Sequence, residues 1–273
     1  MKPMPICPVC RASLSEDGSR LLCSEGHSFD RAARGYTNLL LSGRAAHGDN
    51  REMILSRRRF LESGLYRPLA DALLRALGGE PRRILDAGCG EGYYTAAVAE
   101  GLWGAHLVGI DVSKEAIRAA ASRAPMRDGR ASLYVAGVYE LPFADGAFDA
   151  VLSVFSPFAR EEFLRVLRGG GTLVSAIPGA RHLWEMKQVL YDAPYENTVA
   201  DYAVEGFEFL GKEEVHGRIL LETPAMIADL FTMTPYYYRT PAVGRERLAA
   251  LSSLETEISF EILRYRSSAS SSG

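Results

Sequence analysis

Three cysteines and one histidine near the start of the chain have the spacing of zinc ligands. They follow the pattern Cys7-x2-Cys10-x12-Cys23-x3-His27. Thiolate sulfur and imidazole nitrogen are the donors that structural zinc prefers, and four protein ligands leave no open coordination position for catalysis. The pattern therefore predicts one structural zinc, which would supply folding energy that so short a segment cannot gain from apolar burial. A redox CxxC pair is the alternative, but such a pair follows a strand, and none is predicted before this one.

A glycine-rich turn at residues 85–92, LDAGCGEG, joins a predicted strand to a predicted helix. Glycines let the backbone approach a ligand closely, and the helix N-terminus contributes partial positive charge. A dinucleotide fingerprint, Gly-x-Gly-x-x-Gly, would require glycine at position 93, where the chain has Tyr93. Asp111 ends the next predicted strand, where its carboxylate can accept hydrogen bonds from both ribose hydroxyls of an adenosyl ligand. A turn that only packs helix against strand is the alternative.

The elements around this turn alternate between short apolar runs and helical periods. The predicted strands are residues 84–86, 106–111, 133–136, 149–156, 172–177 and 258–266, with a turn at 168–171. The predicted helices are residues 52–63, 66–77, 93–102, 114–124, 159–167, 182–190, 229–231 and 245–254, with Asp49 or Asn50 and Ser113 as N-caps. Strands separated by helices imply right-handed crossovers, so we expect a doubly wound α/β core with a parallel sheet.

The composition divides the chain into unequal parts. Residues 1–70 hold 11 Lys and Arg against 7 Asp and Glu, and the remainder holds 20 against 27, so a net +4 precedes a net −7. We expect a zinc-binding module at 1–38, a basic linker with helices at 39–80, an α/β domain that carries the glycine-rich turn at 81–266 and a disordered, Ser-rich tail at 267–273. Residues 41–51 are expected to form a linker or mobile loop.

Charge and hydropathy exclude several classes of protein. The formal charge of −3 argues against nonspecific coating of nucleic acid. No apolar run reaches the length of a membrane span, and the first residues lack a secretory h-region. We therefore expect a cytoplasmic protein without membrane association.

Three stretches resemble class I methyltransferases that use S-adenosylmethionine (SAM). LDAGCGEG and GIDVS resemble their cofactor site, and LPFADGAFDAVLS at 141–153 resembles their fourth strand and the loop before it. The resemblance implies that 81–266 is a SAM-dependent methyltransferase domain with a mostly parallel seven-stranded sheet. It also implies SAM bound by Asp86, Gly88, Gly90 and Asp111. Many relatives hold the adenine amino group with an acid near position 137. Here Gly137 and Val138 occupy that region, so backbone atoms would take this role.

Longer stretches resemble one family, the bacterial 23S ribosomal RNA (guanine-N1)-methyltransferases that act on a hairpin loop near the peptide exit tunnel. They are CPVC and CSEGHSFD, RGYTNLL, REMILSRRRFLESGLYRPL, GCGEGYYT, DVSKEAI and PGARHLWEMK. The resemblance implies zinc on the four ligands above, 23S rRNA as partner, a homodimer and a link to antibiotic resistance. It also implies SAM contacts at Tyr66, Thr95, Ala96 and His182. Without the resemblance, the sequence favours Tyr66 as a packing residue under the first helix and His182 as a polar residue at a helix start.

The sequence indicates the RNA-contacting residues less clearly than it indicates the zinc and SAM sites. A basic set is expected to meet phosphates, with a solvated helix face as the alternative: Arg31, Arg34, Arg44, Arg51, Arg57, Arg58, Arg59 and Arg67. An aromatic set is expected to stack a splayed guanine, with core packing as the alternative: Phe155, Phe158, Trp184 and Tyr191. Ser156-Pro157-Phe158 follows the fourth strand at the expected acceptor site but offers no titratable side chain, so no catalytic residue is predicted.

Two other functions are compatible with parts of the sequence. The 141–153 stretch also occurs in methyltransferases of small molecules, although these usually lack a Cys3His module and a basic segment. A zinc and RNA-binding protein without catalysis is the second alternative, and the intact glycine-rich turn argues against it.

Overall fold

The computed structural model describes residues 2–41, 49–198 and 201–268. Its strands are β1 (Leu14–Asp17), β2 (Arg20–Cys23), β3 (Ser28–Asp30), β4 (Thr37–Asn38), β5 (Arg83–Ala87), β6 (His106–Asp111), β7 (Ala131–Val135), β8 (Phe148–Val154), β9 (Leu167–Pro178), β10 (Phe207–Leu221) and β11 (Leu254–Ser267). Its helices are α1 (Arg51–Glu62), α2 (Arg67–Leu77), α3 (Tyr93–Gly101), α4 (Lys114–Ala120), α5 (Ala124–Arg127), α6 (Arg160–Val166), α7 (Trp184–Leu190), α8 (Pro224–Thr232), α9 (Tyr236–Arg239) and α10 (Ala242–Ala249).

The central sheet has eight strands in the order β10-β11-β9-β8-β5-β6-β7-β4. The pairs from β9 to β4 are parallel, and β11 runs antiparallel to both β9 and β10. The chain moves outward from β5 through β6 and β7, then returns to the other side of β5 with β8. The carboxyl ends of β5 and β8 therefore flank the crevice where open α/β sheets bind ligands. The predicted α/β core is confirmed, and β4 adds an eighth strand at one edge.

Capping residues fix the helices that border this crevice. The Asn50 side chain accepts a hydrogen bond from the Met53 amide at the start of α1, and Ser113 does the same for the Ala116 amide of α4. Both side chains satisfy amides that have no partner within the helix. Both predicted N-caps are confirmed.

Two parts of the sheet differ from the sequence prediction. The turn predicted at 168–171 is wrong, because β9 runs through this segment. The register with β8 shifts there, and Gly170 has a φ of +71°, so the glycines form an irregularity within a strand. Strand β10 was not predicted at all. Its charged residues and two glycines obscure the alternating pattern of an edge strand, which pairing with β11 stabilises along its whole length.

The N-terminal module packs directly on the methyltransferase-like core. Strands β1, β2 and β3 form a small antiparallel sheet. Leu14 and Leu21 from this sheet belong to the same buried cluster as Leu141 and Phe143 of the core. Strand β4 then pairs with β7, so the end of the module is part of the central sheet.

The ends of two predicted segments can be placed. Ser267 closes β11, and the Ser268 hydroxyl donates to the Gly206 carbonyl at 2.6 Å, so the expected tail is ordered at its first two residues. Residues 269–273 lie outside the described residues, as do 42–48 of the expected linker, including Arg44. Within the described part of the chain, every helix is too short or too polar to span a lipid bilayer.

Candidate active site and zinc centre

A cavity of about 1820 Å³ opens at the carboxyl ends of the parallel strands. Each strand from β5 to β9 contributes residues to its wall, either at its last position or in the loop that follows. Tyr66, Gly88, Gly90, Asp111 and His182 of the predicted cofactor residues line it. Gly88 and Gly90 share one turn, so these five come from four segments of the chain, which the sheet brings together.

Asp111 is fixed by the backbone of the glycine-rich turn. The Gly90 amide donates to one carboxylate oxygen at 3.0 Å, and the Ser113 amide donates to the other at 2.8 Å. Burial raises the pKa of Asp111, while these two amides oppose the shift. Each carboxylate oxygen keeps a free lone pair beside the cavity, as hydrogen bonds from two hydroxyl groups would require.

We expect Asp111→Ala to weaken SAM binding without unfolding the core. Loss of a hydrogen-bonded carboxylate costs about 1.5–3 kcal/mol of binding free energy, or roughly 10- to 150-fold in affinity. Titration calorimetry measures the change, and Asp128→Ala, which removes an exposed carboxylate on the surface, is the matched control. Unchanged SAM affinity in Asp111→Ala would remove this residue from the cofactor site.

Tyr66 and His182 form a buried pair in which the hydrogen-bond directions can be worked out. The Ser259 amide donates to His182 Nδ1 at 3.3 Å, so the proton of the neutral ring is on Nε2. Burial lowers the pKa of His182 to about 3, which keeps the ring neutral. Its Nε2 lies 3.2 Å from the Tyr66 hydroxyl oxygen and donates to it. The Tyr66 hydroxyl proton is then available to an acceptor in the cavity.

Three predicted cofactor residues lie beneath the cavity wall. The Thr95 hydroxyl donates to Asp86 at 2.5 Å, and both residues are fully buried. Burial raises the pKa of Asp86 to about 6, although the Thr95 hydrogen bond opposes the shift. Ala96 is also buried, and its amide bonds the Gly92 carbonyl. These residues support the turn from below, and direct contact between them and SAM stays a prediction.

Unpaired polar atoms in the wall show that a polar ligand fits here. Among the described residues, five buried side-chain polar atoms have no hydrogen-bond partner, and three of them belong to the cavity wall: Glu91 Oε1, Tyr94 Oη and Ser156 Oγ. Glu91 forms an ion pair with Arg123 through its other oxygen. Buried polar atoms in native proteins are nearly always paired, so these three mark positions for ligand atoms. The sequence analysis did not single out Glu91 or Tyr94 as site residues, although both stand in the GCGEGYYT stretch at 88–95.

The loop after β7 lines the same cavity with residues 136–140. Gly137 has open space around it, since a Cβ there would meet only Val112, at 3.8 Å. An adenine ring can therefore come close to this backbone. Because no acidic side chain stands at this position, backbone atoms would have to hold the adenine amino group.

The predicted RNA-contacting residues have different environments. Among the described arginines of that set, five form ion pairs within the chain: Arg31, Arg57, Arg58, Arg59 and Arg67. Arg34 and Arg51 are exposed and form none. Of the four aromatic residues only Phe155 lines the cavity. The others pack against side chains: Phe158 on Phe163 and Tyr265, Trp184 under Arg181, and Tyr191 on Tyr195 and Tyr236.

The zinc ligands predicted from the sequence meet in the N-terminal module. The donor atoms of Cys7, Cys10, Cys23 and His27 all lie within 4.8 Å of one another. The Cys10 and Cys23 sulfurs are 3.7 Å apart, and Cys23 Sγ is 3.4 Å from His27 Nδ1. A tetrahedral zinc with bonds of about 2.3 Å to sulfur and 2.0 Å to nitrogen requires donor separations of about 3.5–3.8 Å. The residues present therefore fit a four-coordinate zinc.

Family models match two segments of the chain. Residues 6–41 match "RlmA, N-terminal", a zinc ribbon, and residues 84–171 match "Methyltransferase domain". The protein uses SAM as its cofactor and holds one zinc in the N-terminal module.

Relatives cover nearly the whole chain. A 23S rRNA (guanine(748)-N(1))-methyltransferase from Streptomyces fradiae is 34% identical over 255 residues, which are 90% of each chain. The chain belongs to the 23S rRNA (guanine-N1)-methyltransferase family. A relative from Micromonospora griseorubida, named "Putative 23S rRNA (guanine-N(1)-)-methyltransferase", is 38% identical over 95% of this methyltransferase and 96% of its own length.

Solved structures support the fold of this methyltransferase and nothing more specific. The structure reported for conversion of a disulfide bond into a thioacetal group during echinomycin biosynthesis has a TM-score of 0.52 at 22% identity, covering 75% of this chain and 83% of that one. The [4+2]-cyclase SpnF has a TM-score of 0.50 at 22% identity, covering 74% of this chain and 81% of that one. Since a common fold hosts many reactions, the substrate must be argued from the site and the relatives.

Proposed function

We propose that this protein transfers the methyl group of SAM to N1 of a guanine in a hairpin loop of 23S ribosomal RNA, in the cytoplasm. The observation that carries the proposal is that one chain joins a Cys3His module to a SAM-type cavity and matches 23S rRNA (guanine-N1)-methyltransferases over at least 90% of its length and of theirs. Small-molecule methyltransferases, the main alternative, share similarity with less than half of the chain.

In this proposal the cavity wall positions the cofactor. SAM supplies a methyl group already activated by its sulfonium. Asp111 would accept hydrogen bonds from the ribose hydroxyls, and the Tyr66 hydroxyl would donate one to the cofactor carboxylate. The backbone of Gly88 and Gly90 would border the part of the cofactor that joins its ribose to its carboxylate. Alignment of donor and acceptor can account for much of the rate enhancement, because little other chemistry is required of the protein.

The guanine N1 proton must also leave during transfer. His182 lines the cavity, but its Nδ1 lone pair is occupied by the Ser259 amide, and its other nitrogen carries a proton. His182 therefore positions Tyr66 and does not act as the base. Ser156 and Phe158, after β8, have no side chain that accepts a proton near neutral pH, so the N1 proton passes to water.

Phe155 is placed to hold the acceptor base. It lies directly after β8 at a φ of +52°, a conformation that costs energy for a residue with a side chain. Its amide bonds the Ala176 carbonyl at 3.0 Å, which holds the strained backbone in place. The ring is 46% exposed although it faces the cavity, and its plane lies 27° from that of His182. An exposed ring at a substrate cavity offers a stacking surface for a base.

We expect Phe155→Ala to impair use of RNA while SAM binding stays unchanged. Stacking of a base on an aromatic ring contributes about 1–3 kcal/mol, so kcat/KM for RNA should fall roughly 5- to 150-fold. Phe155→Trp should retain most activity. Phe209→Ala removes an exposed ring on β10 outside the cavity and is the matched control. Equal kcat/KM values in Phe155→Ala and Phe209→Ala would contradict the assignment.

The proposed function is tested by following a labelled methyl group. Tritiated SAM is incubated with the protein and either large-subunit RNA lacking the modification or an extract of small metabolites. We expect label in the RNA alone, and primer extension then identifies the modified guanine. Label in a metabolite would support the small-molecule alternative, and no label in either would support a binding protein without catalysis.

We further propose that the protein is a homodimer, so that two N-terminal modules face one RNA. The support is the basic segment beside an acidic core, which forms a deeper cleft when two copies face each other. Light scattering at micromolar concentration should give about twice the chain mass of 29.9 kDa. A chain of this length can also bury enough core to be stable alone, and a monomer mass with full activity at that concentration would contradict the dimer.

A further inference from the structure

A second groove, with a volume of about 540 Å³, lies on the other side of α1 from the cofactor cavity. Arginines from three segments line it: Arg34 of the N-terminal module, Arg51 and Arg58 of α1, and Arg118 of α4. We call it the arginine groove. Glu115 is the one acidic residue in its wall, and Ile54 and Leu55 contribute apolar surface. With Glu62, which accepts a hydrogen bond from Arg58, four guanidinium groups face two carboxylates, and this leaves a local excess of positive charge on a chain whose net charge is negative.

The module and the core hold these arginines together. The 32–36 turn is closed by hydrogen bonds from the Gly35 amide to Ala32 and from the Ala32 amide to Tyr36, at 2.7 and 2.8 Å. Tyr36 is buried in one cluster with Ile117 and Ala120 of α4. This packing fixes the turn that carries Arg34 against the helix that carries Arg118.

Most arginines of this groove lack the ion pairs that most other arginines of the described chain form. Most described arginines are in ion pairs, as Arg59 is with Asp229 and Arg75 with Glu213. Arg34, Arg51 and Arg118 are exposed, and none of them forms an ion pair with another described residue. Exposed guanidinium groups without internal partners can bind an external anion, because no ion pair within the chain has to be broken first. Their fork of N–H donors matches the two free oxygens of a phosphodiester.

The position of the groove indicates which anion it meets. Helix α1 separates it from the cavity, because Met53 and Arg57 line the cavity while Ile54 and Arg58 line the groove. In the proposed function this cavity receives the target guanine, so the neighbouring nucleotides run over the adjacent surface. We infer that the arginine groove binds the phosphodiester backbone of the RNA next to the target guanine. This inference rests on the proposed function.

Arg58 has a supporting role in this groove. Its Nε donates to Glu62 and its Nη1 to Ser122 Oγ, at 2.9 and 2.8 Å. These bonds join α1 to the end of α4 and leave the Nη2 group of Arg58 unused by them. A test of phosphate binding should therefore spare Arg58 and change the three arginines whose side chains do not hold the fold together.

The test compares the triple variant R34Q/R51Q/R118Q with R82Q and the wild type. Arg82 is exposed just before β5, at the opposite end of the parallel strands from the cavity, and controls for the loss of charge. Binding of a 23S rRNA hairpin fragment is measured at several salt concentrations, together with SAM affinity and methyl transfer. We expect RNA affinity of the triple variant to fall at least about tenfold near 0.15 M salt. The slope of log Kd against log salt should fall by about 2, at roughly 0.7 for each phosphate contact to single-stranded RNA.

Two further readouts separate the possible failures. SAM affinity of the triple variant should equal that of the wild type, since none of the three arginines lines the cofactor cavity. If the wild type neither binds nor methylates the RNA, the proposed function fails. If the wild type does both, and the triple variant has the affinity and salt slope of R82Q, the arginine groove is overturned while the proposed function stands.

Discussion

Gly88→Ala is expected to destabilise the fold and abolish measurable SAM binding. A Cβ built on Gly88 would lie 2.1 Å from Ser156 Oγ and 2.7 Å from Ser156 Cβ, so the turn after β5 and the residues after β8 cannot both keep their positions. Gly88 also has a φ of +83°, which costs a residue with a side chain about 1–2 kcal/mol. Overpacking typically adds about 1–3 kcal/mol, so the free energy of unfolding should fall by about 2–5 kcal/mol.

Two further variants distinguish the close contact from the backbone conformation. Gly129→Ala introduces a side chain at a φ of +74° with nothing within 4 Å, so it should show the conformational cost alone. Adding Ser156→Gly to Gly88→Ala removes the colliding side chain and should recover the overpacking part of the loss. Thermal unfolding and SAM calorimetry measure both effects. A Gly88→Ala variant as stable as Gly129→Ala, with normal SAM affinity, would show that the turn can move away from Ser156.

The sheet was predictable wherever the chain alternates between strands and helices. Residues 84–177 form such a series, and its strands lie where the apolar runs indicated, apart from the segment at 168–171. The local sequence did not predict those strands whose stability comes from pairing with a distant segment of the chain. Strand β10 contains Glu, Lys and Gly and is ordered by pairing with β11, some forty residues further along the chain. Strand β4 is two residues long and depends on β7.

The candidate site was predictable where a motif fixes the backbone and less so where side chains meet across the fold. The turn at 85–92 indicated Gly88 and Gly90, and the end of a strand indicated Asp111. The bond between Tyr66 and His182 joins residues 116 positions apart, so it was reached only through family resemblance. The ion pairs of Arg57 with Asp49 and Arg59 with Asp229 show why a run of arginines did not by itself locate RNA contacts.

Loss of zinc is expected to unfold the N-terminal module and stop RNA methylation. Purified protein should contain about one zinc per chain, and Cys23→Ser should remove it together with the ordered structure of β1–β3. Zinc contributes about 10–16 kcal/mol in small zinc-binding peptides, more than three short strands can gain from their own core. Leu14 and Leu21 share a buried cluster with Leu141 and Phe143, so the catalytic core should also lose stability.

Cys89→Ser is the control for zinc content alone, because Cys89 lines the cofactor cavity. Cys89 is buried like Cys23 but lies in the turn after β5, outside the four-ligand cluster, so this variant should keep one zinc. Metal analysis gives the zinc content, and limited proteolysis reports whether the module is folded. Because Pro8 and Arg11 contribute to the cavity wall, SAM affinity of Cys23→Ser should fall, but less than methyl transfer to RNA. A zinc-free protein whose module resists protease and which still methylates RNA would leave the metal without a structural role.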